Sequence, residues 1–464
     1  MNLLIKPVWL LIENIVQDRI GHDEYGTFAA LYALGYLFIS LSDLGVNMYT
    51  TKHVAGNPAN MNRLFSNIIS FKVLLSVAYP VFMVGVGYLL DYSPVELYFL
   101  AVLSFTQAVL QLLLFFRSNF QASQYFRLDS IVSVSDKAIL MLIILIMLYN
   151  RITLESYIYA RLISAVITIL IFYWVLVRLY GWIRPTFNIP SIKEILVLSF
   201  PFAVMTILYS FNEKLDQVML ERIGDQDIAR VRSGLYAGAY RWLEAFQMYL
   251  WTVLPFFFAK FAFHQKETGK LQRVFEMGQV VSAVPMIFLS VFVFFFSEHL
   301  FWLFSNSSKE ELTIMADTTR ILFLTALFNG FFAVYGSLLS CLGLEKRLSS
   351  IIIISIVFNI VLNFIFIPQY GTYAAAWSTF ASVIFLSIAY IHMIKTRLTV
   401  RIPVMLLIKL SSITLMLTGF FWLLDSLGLL WYQVSICGGF FLIALCLLMG
   451  LHRYIHLNET SEIS

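Results

Sequence analysis

Charge is scarce in this chain of 464 residues: Asp, Glu, Lys and Arg make up 12%, against ~25% in a typical soluble domain. Hydrophobic residues reach 60% and mean hydropathy is +0.82. So little polar surface cannot cover a water-soluble particle, and an integral membrane protein follows. Cysteine is equally rare. Cys341, Cys437 and Cys446 lie in apolar runs without metal-ligand spacing and read as packing residues. Phosphate-cradling Gly-x-x-x-x-Gly-Lys loops are missing, and no connection between apolar runs exceeds ~20 residues. An ATP-driven pump and a separate catalytic domain are therefore excluded as readings, and no cofactor is called for. The net charge of +4 is too small to suggest nucleic acid as a partner.

What the chain has in abundance is long apolar runs. About 20 residues cross the hydrocarbon layer as a helix, and fourteen segments qualify: 2–20, 27–50, 64–90, 95–117, 128–149, 153–177, 195–220, 234–259, 274–297, 313–340, 348–367, 372–394, 404–424 and 430–451. The fold class is thus an all-α polytopic membrane protein. Polar residues interrupt the first segment, which reads as a span rather than a cleavable leader. With the amino terminus inside, seventeen of the 31 Lys and Arg residues fall in cytoplasmic connections and six in outer ones. This asymmetry fixes the orientation, because basic loops stay on the cytoplasmic side. Both termini are then expected in the cytoplasm.

A short motif occurs twice. Asp18-Arg19-Ile20-Gly21 corresponds to Glu221-Arg222-Ile223-Gly224, and Gly26 to Tyr32 corresponds to Gly234 to Tyr240. The offset grows from 203 to 208, which is a five-residue insertion in the turn. Six helices separate the copies, so the halves share one orientation and form a parallel repeat. The domain reading is a six-helix lobe over 1–190, a second over 191–400, two additional helices over 401–452 and a tail over 453–464. Repeats of this kind can enclose a cavity and expose it to alternate sides by rocking.

Eight basic residues fall inside spans: Lys6, Lys72, Lys137, Arg161, Lys214, Arg241, Arg320 and Lys409. Each costs ~2.5–3.5 kcal/mol at the centre of a lipid-facing helix, so a cavity, an ion partner or an interface must receive it. Lys6 and Lys409 lie close enough to a cytoplasmic end to reach the headgroups. Lys72, Lys137, Arg161, Lys214, Arg241 and Arg320 are the candidate substrate-binding residues, since a cationic cavity suits an anionic cargo such as a pyrophosphate. Structural ion pairing is the competing reading, and the i,i+3 spacings of Arg241 with Glu244 and of Asp317 with Arg320 favour it locally. Glu13 and Asp216 precede the two copies of the motif at equivalent places and are the ion-coupling candidates. Tyr157, Tyr159, Tyr236, Tyr240, Trp242 and Tyr249 read as interfacial belt residues, with a saccharide path as the alternative.

The sequence from Arg19 to Gly26 (Arg-Ile-Gly-His-Asp-Glu-Tyr-Gly) resembles the Arg-x-Leu-Gly-x-x-x-Tyr-Gly turn of Wzx-type polysaccharide flippases of the MOP superfamily. A second resemblance covers Gly343 to Ala376, with Gly343-Leu344-Glu345-Lys346, Asn359, Asn363, Ile367-Pro368, Tyr370-Gly371 and Ala374-Ala375-Ala376. Pro368 is expected to end a span, and the two asparagines to bond across to a neighbouring helix. The resemblance implies a non-enzymatic flippase for undecaprenyl-pyrophosphate-linked oligosaccharides of O-antigen, capsule or exopolysaccharide. It also implies the bacterial inner membrane as location, membrane lipids as surroundings, and a polysaccharide polymerase and chain-length regulator as partners. Rival readings are a drug/cation antiporter or a lipid II flippase of the same superfamily. A membrane enzyme would want clustered polar chemistry in an outer loop, whereas the seven histidines are dispersed.

Overall fold

The computed structural model describes residues 2–47, 61–122, 125–149, 151–181, 186 and 188–455. Among these residues there are fourteen helices of sixteen residues or more and no strand. They are α1 (Asn2–Ile20), α2 (His22–Leu37), α3 (Met61–Leu89), α4 (Pro94–Ala122), α5 (Phe126–Met147), α6 (Leu154–Tyr180) and α7 (Ile189–Arg222). The remainder are α8 (Gln226–Phe263), α9 (Thr268–Phe296), α10 (Lys309–Cys341), α11 (Glu345–Tyr370), α12 (Thr372–Arg397), α13 (Val404–Ser426) and α14 (Trp431–Leu448), followed by a short turn of helix at His452–Ile455.

Eleven of these are long and apolar enough to cross a membrane, and a twelfth, α7, qualifies if its two arms form one span. It bends by 49° between Phe200 and Phe202, where Pro201 has no backbone N–H to give the helix ladder. The other two fall short of the expected fourteen spans for identifiable reasons. Lys6, Glu13, Asp18 and Arg19 interrupt α1, and α2 has only sixteen residues. The span expected over 27–50 starts earlier, at His22, and stops at Leu37. A 3-10 turn (Ile39–Ser42) follows, then Leu44 and Gly45 with φ of 50° and 75° interrupt the helical backbone, which resumes at Val46 and Asn47. Lys52, Arg184 and the tail beyond 455 lie outside the described residues.

Two compact units divide the chain at Ala237/Gly238. In the first, α4 packs on α3 and α6, α5 on α6 and α1, and α2 on α7. Its core joins Val16, Phe28, Leu31, Leu34, Leu100, Leu103, Ile144 and Tyr157. In the second, α9 packs on α10, α10 on α12, and α12 on α11. Ala375 and Ala376 are fully buried, which permits the close approach of α12. Pro368 does not end α11 as expected. It lies inside the last turn, and the helix continues to Tyr370 before Gly371 turns the chain at a φ of 55°. Asn363 bonds to Asn359 on its own helix, Nδ2 donating to Oδ1 at 2.9 Å.

The last two helices are attached to α9. Leu406, Leu410, Ile413, Leu417 and Phe421 recur at spacings of three and four along α13 and join Val280, Ala283 and Ile287 of α9 and Leu442 and Leu445 of α14 in one core. The opposite faces stay apolar but outward, with Leu415 at 74% and Phe440 at 71% exposure. Acyl chains are their natural surroundings.

Candidate functional site

The most elaborate polar arrangement sits inside the first unit. Glu13 on α1 is buried, and its Oε1 accepts hydrogen bonds from Tyr25 (2.7 Å) and Tyr157 (2.6 Å). Arg161, one turn along α6 from Tyr157, donates from Nη1 to the Tyr157 hydroxyl at 2.7 Å and lies 3.5 Å from Glu13 Oε1. Rings enclose the guanidinium, with Tyr32, Phe28, Tyr157 and Trp9 centroids at 4.7, 5.2, 5.5 and 5.9 Å. Ring faces attract a cation, so Arg161 can stay charged here away from bulk water. Its Nε and Nη2 make no hydrogen bond among the described residues, and neither does Glu13 Oε2. The pair thus holds itself together through one oxygen and one nitrogen and keeps further donors and an acceptor in reserve.

The other predicted cations are dispersed. Lys72, 1% exposed, is bonded and ion-paired to Asp43, with the Phe115 ring centroid 5.7 Å away. Lys137 is half-buried on α5 beside Asp136, whose Oδ1 accepts from Ser164 at 3.1 Å. Lys214 stands 6.0 Å from the Tyr36 ring centroid. Asp216, two residues on, is buried and accepts from Tyr236 at 3.2 Å. In the second unit, Arg241 is half-buried on α8. Arg320 is held by Asp317, by Glu298 at 3.2 Å and by the Phe294 carbonyl at 3.1 Å, beside the 3-10 turn (Ser297–Phe301) that ends α9. Of the eight predicted site residues, the structure brings Glu13 and Arg161 into direct contact. Among the described residues no group of three or more His, Cys, Asp or Glu is arranged to hold a metal.

The duplicated motif also meets itself. A Cβ on Gly26 would collide with the Arg230 carbonyl, and one on Gly234 with the His22 carbonyl. Since 208 residues relate Gly26 to Gly234 and equally His22 to Arg230, the contact is reciprocal, as a local twofold requires. Two side chains fasten it: Ser233 Oγ donates to Gly26 O (3.0 Å) and Gln17 Nε2 to Gly234 O (2.7 Å), while Gln217 Nε2 donates to Ser233 O (2.7 Å) within the second copy. Next to it lies an ionic network. Arg230 pairs with Glu96 at 2.7 Å, Arg222 with Glu221 at 3.1 Å, Tyr92 donates to Glu221 at 2.9 Å, and the Arg222 guanidinium covers the Tyr92 ring.

Sequence reasoning assigned Tyr157 and Tyr236 to an interfacial belt, but they are 0% and 1% exposed and hold Glu13 and Asp216. Tyrosine in a core needs a partner for its hydroxyl. The i,i+4 spacing of Tyr157 and Arg161 was a readable signal; the meeting of α6 with Glu13, 148 residues away in sequence, had none.

Among the described residues, eleven or twelve apolar helices long enough to cross a membrane, with no strand, define a multi-pass all-α membrane fold. Solved structures agree. A lipid II flippase MurJ in an inward-closed conformation superposes with a TM-score of 0.76 at 15% identity, covering 97% of each chain. An inward-facing multidrug resistance MATE family transporter of the MOP superfamily gives 0.65 at 14% identity, covering 84% of this chain and 96% of that one. The MATE multidrug transporter DinF-BH gives 0.61 at 14%, covering 85% and 92%. No curated protein sequence matches. Residues 1–256 match the family model described as polysaccharide biosynthesis protein, and residues 201–365 match MatE. The chain belongs to the polysaccharide biosynthesis protein family, on the fold of the MOP superfamily.

Proposed function

We propose that this protein is a flippase that carries undecaprenyl-pyrophosphate-linked oligosaccharide repeat units across the bacterial inner membrane by alternating access, for O-antigen, capsule or other surface polysaccharide. Both termini lie in the cytoplasm in this reading, the two six-helix repeats over 1–190 and 191–400 supply the movement, and a polymerase and chain-length regulator take the product. The supporting observation is the Arg161–Glu13 cluster, a caged cation with unused donors within the stretch that matches the polysaccharide biosynthesis family. A phosphate oxygen arriving at Nε or Nη2 gains charge-assisted bonds. Glu13 balances the guanidinium when no cargo is present and is released as the phosphate takes its place. Its free Oε2 is a place for a coupling proton or cation, and Asp216 is the second candidate.

Single replacements of Arg161, Lys214, Arg241 and Arg320 by Ala, with surface polysaccharide measured at matched protein levels, test the reading. A bond to a charged group contributes ~1.5–3 kcal/mol, so Arg161→Ala should cut export roughly 10- to 100-fold, and Arg161→Lys should restore part of it. Full export by all four variants defeats the site assignment. A second reading, lipid II as cargo, is favoured by the superposition over 97% of both chains. Rescue of cells depleted of their own lipid II flippase distinguishes the two.

A further inference from the structure

The second unit carries a cleft unrelated to the predicted site residues. It measures about 540 Å³ and lies where Arg273 near the start of α9, Lys409 near the start of α13 and the chain leaving α14 converge. Three full cations, Arg273, Lys409 and Arg453, line it together with His452, against one carboxylate, Glu276. That carboxylate already accepts a hydrogen bond from Gln272 at 2.8 Å. Local geometry fixes the basic groups. Gly450, at a φ of 69°, turns the backbone after α14, and the Arg453 N–H donates to the Gly450 carbonyl at 3.2 Å. Lys409 donates from Nζ to Met449 O at 2.8 Å and lies 5.6 Å from the Tyr454 ring centroid. One lip is aliphatic: Leu447 and Leu448, at the end of α14, are 58% and 84% exposed.

We propose that this cleft holds the phosphate of an anionic phospholipid. Two observations select an amphiphile over a free anion. The basic residues sit at the ends of apolar spans, Lys409 five residues into α13 and so about 7.5 Å along its axis, at the depth where a lysine meets headgroups. The bare leucines beside them offer acyl chains a surface that a soluble phosphate would leave wet. Basic pockets between spans on the cytoplasmic side suit anionic headgroups, and the charge distribution of the loops places all three segments on that side. Because α13 and α14 are anchored to α9 through one apolar core, a lipid bridging the three would hold this end of the unit together. The proposal is independent of the cargo.

The test is native mass spectrometry of the purified full chain in detergent, titrated with phosphatidylglycerol, phosphatidylcholine and inorganic phosphate. The expected result is a several-fold preference for phosphatidylglycerol over phosphatidylcholine, unaffected by millimolar phosphate. A basic residue near an anionic lipid is worth ~1 kcal/mol, or about five-fold, so Lys409→Gln should weaken phosphatidylglycerol about five-fold. Arg273→Gln with Arg453→Gln should weaken it about 25-fold. Both of these arginines are exposed, so the double variant carries the test if Lys409→Gln does not fold. Lys309→Gln, an exposed cation on α10, should change nothing. Equal binding of the two lipids, an unchanged preference in the double variant, or an equal loss in Lys309→Gln overturns the proposal. Displacement of the lipid by inorganic phosphate would make this a soluble-anion site and overturn it likewise.

Discussion

Gly26→Ala is the smallest change that probes whether the duplicated motif is a working contact. The added methyl would stand 2.7 Å from the Gly234 nitrogen and 2.9 Å from the Arg230 carbonyl carbon, and closer still to its oxygen. Ordinary non-bonded separations are about 3.5–4.0 Å. All the atoms met are backbone, so no rotamer change relieves the clash and α2 must move from α8 by about 1 Å. Overpacking of this kind costs ~1–3 kcal/mol. The movement also stretches the Ser233-to-Gly26 and Gln17-to-Gly234 hydrogen bonds, worth ~0.5–1.5 kcal/mol each. Together these give about 2–6 kcal/mol. Thermal unfolding in detergent should fall by about 2–6 °C at the ~2 cal/mol/K per residue typical of unfolding, and export should drop because the two copies no longer close on each other. Gly234→Ala should behave the same way, and the double variant should cost less than the sum, since both residues serve one contact. Gly85→Ala is the control: nothing lies within 4 Å of its Cβ position, and helix propensity favours alanine. If Gly26→Ala melts and exports like the wild type, the reciprocal contact has no energetic weight and the reasoning fails.

Three further outcomes can be measured on the same preparation. Lys72→Met leaves the mostly covered Asp43 without its cation, which should cost up to ~3–5 kcal/mol; adding Asp43→Leu should recover most of it, as the melting temperatures of single and double variants will show. Tyr157→Phe removes a 2.6 Å donor from Glu13 and a 2.7 Å acceptor from Arg161, so stability should fall by ~1–3 kcal/mol, with export reduced less than in Arg161→Ala. Ser308→Ala deletes the capping box that opens α10 and should cost ~1 kcal/mol, read as a small melting shift without loss of export.

Much of the helical frame was legible because each span must carry its own hydrogen bonds and a long apolar run to do so. Segments such as 372–394 and 404–424 lie within a few residues of Thr372–Arg397 and Val404–Ser426. The misreadings share one cause. Hydropathy extended the second span to 50 across Asp43, Leu44 and Gly45, because two polar or flexible residues hardly change a windowed average, while the 3-10 turn and the positive φ values there interrupt the helix. The acid partners of Arg161 and Lys72 stand out in the sequence as carboxylates within apolar runs, but the pairings were not readable. Glu13 and Asp43 reach their cations only through the packing of α1 and α6 on their shared neighbour α5 and of the 3-10 turn on α3, contacts without a local pattern. Only i,i+3 and i,i+4 pairs, such as Asp317 with Arg320, could be seen in advance.

The pairings also sort the buried cations by what they can still do. Lys72 is 1% exposed and bonded to a carboxylate that is itself mostly covered, so drawing it toward a cargo would strand Asp43 in the interior. Arg320 spends its donors on two carboxylates and a carbonyl at the end of α9. Arg161 differs: its long 3.5 Å approach to Glu13 leaves the carboxylate anchored by two tyrosines whether or not the arginine stays. An anion can therefore recruit this guanidinium without leaving Glu13 devoid of partners, because both tyrosine hydroxyls continue to donate to its Oε1 and the surrounding rings continue to favour the cation. Among the proposed contacts, then, Arg161→Ala should depress export more than Lys72→Met does once both are normalised to folded protein in the membrane. An export defect in Lys72→Met that equals that of Arg161→Ala after this normalisation would remove the distinction between locked and available charge.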